Sequence, residues 1–146
     1  MATNTRGRRD TGRAMSQENL EALKAVYARW GAGDFWTPDI FDPSVEVVWA
    51  QDMPDFAGPN RGFAALERGI RNLLAPWDEY GWAADEFIPV QDRVLVLFTA
   101  RGRGKGSSVE VEAHWAHLWT FHEGKATRVE GFLDQAEALN AAGLGK

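Results

Sequence analysis

Between Trp82 and Leu133 the chain passes through four consecutive segments that follow a two-residue period, with very little between them, and that leaves few architectures open. The segments are residues 82–90, 93–100, 109–122 and 125–133. Their links are Gln91-Asp92, a glycine-rich stretch at 101–108, and Glu123-Gly124, and the links suit hairpins. Strands joined by hairpins are antiparallel. On the 109–122 segment, alternation puts Ala113, Trp115, His117, Trp119 and Phe121 on one face and Glu112, His114, Ala116, Leu118 and Thr120 on the other.

Upstream the period is helical. Leu20, Leu23, Tyr27 and Trp30 recur at helix spacing behind Ser16, a good N-cap residue, and Gly31 and Gly33 close that helix. Residues 34–41 read as a short second helix limited by Pro38, with Trp36, Ile40 and Phe41 as its anchors. Val45, Val47 and Trp49 then alternate as a strand, and residues 50–62 read as a loop that carries Asp52 and Asp55. Phe63, Leu66, Ile70, Leu73 and Leu74 make a third amphipathic helix, closed by Pro76. After the strands, Asp134 caps a last helix, with Glu137 spaced for a capping box and Gly143 at the end. Helices gathered against a run of consecutive antiparallel strands describe an α+β domain. Residues 1–15 carry four arginines among small polar residues and read as a disordered basic tail before one domain at 16–146.

Composition narrows the function classes. A net charge of −5 with dispersed Lys and Arg argues against nucleic acid as a partner. The absence of cysteine excludes thiol nucleophiles, disulfides and zinc thiolates. No apolar run reaches the length of a membrane span and no signal peptide is visible, so no membrane partner and a cytoplasmic location are expected. Seven Trp and eight Phe are the unusual feature, and a ring-lined cavity for an apolar small molecule is one way to house them. His114 and His117 face opposite sides of one strand, which speaks against a metal site. The 101–106 stretch links two strands and precedes no helix, so it lacks the setting of a phosphate-binding loop, and no cofactor is implied.

The order of elements resembles the SnoaL-like, ketosteroid-isomerase-like branch of the nuclear transport factor 2-like superfamily. So do particular stretches: Tyr27 through Gly33-Asp34, Asp85-Glu86-Phe87-Ile88, Asp92-Arg93-Val94, Ala116-His117-Leu118-Trp119-Thr120-Phe121, and Asp134 with Glu137-Ala138-Leu139. The resemblance implies a cone-shaped roll, a curved antiparallel sheet packed on N-terminal helices, with a pocket inside. It also implies a homodimer through the outer face of the sheet, for which Arg128, Glu130 and Phe132 are the candidates.

The catalytic sets of the known branches match only in part. Where a ketosteroid isomerase places its Asp base this chain has Trp49, and the helix-one Tyr donor falls at Val26, beside Tyr27. The second donor, a neutral carboxylic acid in that enzyme, falls at His117. The Arg and Asp set of limonene-epoxide hydrolases meets apolar Val94 to Phe98, and Gly131 near the last-strand position.

The candidate catalytic residues are therefore His117 as donor or base and Glu86 or Asp52 as its partner. Tyr27, Trp30, Trp49, Trp115, Trp119 and Phe121 are the candidate substrate-binding residues. The function they describe is an acid-base cyclase or isomerase acting on an apolar polyketide-like or steroid-like substrate. A ligand-binding protein without turnover, or a dimerisation domain with a vestigial pocket, remains the alternative.

Overall fold

The computed structural model describes residues 16–49 and 59–144. The tail at 1–15 and Asp52 lie outside the described residues. Helix α1 (Gln17–Gly31) opens on Ser16, whose Oγ accepts the Asn19 N–H at 3.0 Å, and it buries Leu23, Val26, Tyr27 and Trp30 on one face. The helix expected at 34–41 is reduced to a single 3-10 turn, Pro38–Ile40, because Phe41 already pairs with Ala126 as the start of strand β1 (Phe41–Trp49). The expected loop holds a short strand, β2 (Pro59–Arg61), antiparallel to β1. Helix α2 (Phe63–Leu74) packs against these two strands and has no fully buried residue.

The four strands follow as β3 (Trp77–Val90), β4 (Arg93–Gly104), β5 (Glu110–His122) and β6 (Lys125–Phe132), each antiparallel to the next. Strand β3 begins five residues earlier than its pattern suggests, directly behind Pro76. Glu123 and Gly124 both have positive φ, the geometry of a tight two-residue hairpin turn. The spatial order is β2-β1-β6-β5-β4-β3, and β1 joins β6 in parallel, so the sheet is mixed. A hairpin rule could not place β1, since its partner is about eighty residues away in the chain.

Two cores result, one on each side of the sheet. The inner core joins α1 and the 3-10 turn to Val94, Val96, Phe98, Ala100, Trp119 and Phe121. The outer one is smaller: helix α3 (Gln135–Ala141) lays Ala138 on Leu95, Ala116 and Leu118, with Phe132 at its margin. Asp134 caps α3 by accepting the Ala136 N–H at 2.8 Å, and Glu137 returns no bond, so half of the expected capping box forms. Close approach of α1 to β3 depends on Gly81, where a Cβ would stand 2.6 Å from the Gly31 carbonyl oxygen. No helix among the described residues is long and apolar enough to cross a membrane.

Candidate functional site

His117 sits on the inner face of β5, between Val96 of β4 and Gly131 of β6. Its imidazole is buried, stacked on Phe98 at a centroid distance of 4.3 Å and leaned on by Trp82 at 4.9 Å. Tyr27 reaches it across the core from α1, and the Tyr27 Oη to His117 Nδ1 distance is 2.5 Å. Trp119 Nε1, two residues along β5, donates to the same Tyr27 oxygen at 3.0 Å.

These contacts assign the protons. An indole N–H can only donate, so Tyr27 accepts from Trp119. Among the described residues the phenol hydrogen then has one acceptor within reach, His117 Nδ1, and leaving it unmade would bury an unsatisfied donor at a cost of about 1–3 kcal/mol. His117 therefore carries its own proton on Nε2. Burial among rings disfavours the imidazolium and lowers the His117 pKa from 6.5 to about 3. Burial likewise pushes the Tyr27 phenol well above its usual value, against the smaller lowering effect of the Trp119 hydrogen bond. At neutral pH the site is a relay of neutral donors, Trp119 to Tyr27 to His117.

His117 is also part of the wall of a partly open cavity of about 80 Å³. One water needs roughly 10–15 Å³ of such space, so the cavity has room for more than a single solvent molecule. Trp30, Phe35, Phe41 and Trp82 supply the aromatic wall. Leu66, Ile70 and Leu73 of α2 face them, which explains why that helix has no fully buried residue. Gly131 takes part without a side chain, and its absent bulk leaves room beside His117. Besides His117, the polar side chains of the described lining are Asn60, Arg68 and Asn72.

The predicted site residues separate into groups. His117 and Trp30 line the cavity. Tyr27 and Trp119 stand one layer behind, holding His117 rather than touching the cavity. Phe121 is buried core, stacked on Trp119 at 6.1 Å. Trp115 is half-buried near Trp82 and Phe98 and does not line the cavity. Trp49 pairs with Gly131, in register with His117, and its side chain lies outside the description.

Glu86 is a correction. Simple alternation from Trp82 and Ala84 aims it inward, but the register shifts between Ala84 and Glu86, so that Glu86 pairs with Leu97, an outer-face residue, and is exposed. The extra residue, Asp85, accepts a 2.7 Å bond from Thr99 on that outer side. Asn60, Arg68, Asn72 and Gly131 were missed by pattern reading. The interruption of the α2 apolar stripe by Ala65, Gly69 and Asn72 was the available signal, since a helix resting on solid core has little use for it.

Comparison with known proteins agrees with this architecture. The family model for the SnoaL-like domain matches residues 13–129. An NTF2-like protein of unknown function from Burkholderia pseudomallei K96243 superposes with a TM-score of 0.70 at 25% identity, over 86% of this chain and 97% of that one. TerC, co-crystallised with polyporic acid, gives 0.69 at 25% identity, over 87% and 99%. A candidate SnoaL-like polyketide cyclase from Jannaschia sp. CCS1 gives 0.68 at 17% identity over 92% and 100%, a likeness of fold alone. A search of the curated proteins returns no match. With its three helices, its six-stranded curved sheet and a family match over most of its length, this chain belongs to the SnoaL-like domain family, on the nuclear transport factor 2-like fold.

Proposed function

We propose that the cavity binds an apolar molecule through a carbonyl oxygen that accepts a hydrogen bond from His117 Nε2, and that the protein acts on it as an acid-base isomerase or cyclase. The observation that carries this reading is the relay from Trp119 through Tyr27, which fixes a neutral imidazole as a donor on the wall of a ring-lined space. A neutral donor aimed at a carbonyl gains strength as negative charge grows on that oxygen, and one such preorganised donor is worth about 3–4 kcal/mol of barrier in a dry site. The base we propose for the α-proton is Asp52, a carboxylate that follows β1 in the sequence. The likeness to TerC, co-crystallised with polyporic acid, supports a small organic ligand.

The test is Trp fluorescence of wild type, His117→Gln and Asp52→Asn, titrated with polycyclic ketones and polyketide-like aromatics, with product analysis on whatever binds. Conversion lost in both folded variants supports the reading. Binding without conversion makes the protein a ligand carrier, and binding indifferent to His117 removes the donor role. The homodimer through Arg128, Glu130 and Phe132 belongs to the same proposal, and gel filtration giving a monomer would end it.

A further inference from the structure

We infer that the cavity selects acids, with Arg68 of α2 as the anchor for a carboxylate on a ligand whose carbonyl oxygen meets His117; the inference rests on the donor role proposed above. Arg68 is the only charged side chain among the described residues that line the cavity. Like Arg71 on the same exposed helix surface, it makes no hydrogen bond or ion pair with a described residue, whereas Arg29, Arg61, Arg101, Arg103 and Arg128 are each held by a carboxylate; what sets Arg68 apart from Arg71 is that it lines the cavity. A guanidinium with no pair among the described residues can offer its donor fork to a partner from outside, and that fork matches the two oxygens of a carboxylate.

The surroundings agree. Asn72 lies four residues on, on the same face of α2, and lines the cavity as well, adding an amide beside the cation. The opposite wall of Trp30, Phe35 and Trp82 would leave an anion unsolvated, which is costly, so a ligand's charged group is directed to α2. The protein as a whole is acidic, at −5, so preference for an anion has to come from this local cation and not from a general field. The class of ligand that satisfies both ends is a small cyclic oxo-acid.

The experiment uses matched probes: 1-indanone-5-carboxylate, its methyl ester and 1-indanone, each titrated by Trp fluorescence into wild type, Arg68→Gln, Arg71→Gln and His117→Gln. Arg71 carries the same charge on the same helix without lining the cavity, and circular dichroism verifies that each variant is folded. Wild type is expected to hold the acid roughly tenfold tighter than the ester, a preference that shrinks with added salt. Arg68→Gln should reduce the ratio to about one while sparing ester binding, and Arg71→Gln should leave it intact. Equal binding of acid and ester by wild type, or undiminished preference in Arg68→Gln, overturns the inference. If the ester and the parent ketone bind and weaken in His117→Gln without any acid preference, Arg68 fails while the donor role survives. If no probe binds up to its solubility, both fail together.

Discussion

His114 and His117 lie three residues apart on one strand and live in different chemical worlds. His117 faces the inner core, fully enclosed, and its Nδ1 accepts from Tyr27. His114 faces outward, its side chain 62% exposed, with Nδ1 3.2 Å from Thr99 Oγ1. Thr99 gives its single hydrogen to Asp85, so here the imidazole Nδ1 is the donor. Opposite faces of one strand thus reverse the roles of the same ring atom. The inner face excludes water and makes every polar group answer to a neighbour. The outer face spreads its polar groups over exchangeable pairs such as Arg101 with Glu112 and Arg128 with Glu46.

The largest effect expected from this contrast is in acid. A histidine whose folded pKa lies below its unfolded value binds more protons when unfolded, so stability is full above about pH 6.5 and is lost as pH falls toward 3. The whole shift corresponds to about 5 kcal/mol, and urea unfolding at pH 4.5 instead of 7 should reveal a loss of about 2–3 kcal/mol. His117→Gln should lack that part of the pH dependence and His114→Gln should keep it. An unchanged pH profile in His117→Gln would remove the buried neutral imidazole from the account.

Cutting the relay comes next. Tyr27→Phe leaves Trp119 Nε1 and His117 Nδ1 without their shared partner, at an expected cost of about 2 kcal/mol in urea unfolding. Nitrogen NMR of the histidine ring should then report mixed tautomers in place of a pure Nε2–H form, and a pure form persisting in the variant would show that Tyr27 does not set it.

Outer-face changes should be milder. Asp134→Ala removes the cap that holds α3 over the second core, and about 1 kcal/mol is expected from its thermal unfolding. His114→Ala should alter stability by less than about 0.5 kcal/mol, because its contacts are exposed and water replaces them. A His114 effect as large as that of Tyr27 would erase the distinction between the faces.

Much of this was legible in the chain. The alternation on β5 placed His117 with Trp115, Trp119 and Phe121 and put His114 opposite, and the register agrees. The Ser16 and Asp134 caps were readable because an N-cap acts within three residues. Residues 34–41 carry the local signals of a helix and form only the turn at 38–40, since the pairing of Phe41 with Ala126 is invisible locally. The outward facing of Glu86 is not legible in the chain, because a β-bulge inserts one residue without any compositional mark when neither neighbour is glycine. The cavity lining was half seen: its rings stood out as aromatic excess, whereas Arg68 and Gly131 became part of the site only through what they face.

By itself the sequence determined period, caps, turns and the division of each strand into two faces, since these are set by residues within a few positions of one another. Tertiary structure alone decided that β1 runs parallel to β6, that Tyr27 meets His117 across ninety residues of chain, and that the imidazole proton sits on Nε2. Those outcomes depend on hydrogen bonds and burial between distant segments, and no local pattern encodes which distant group will arrive.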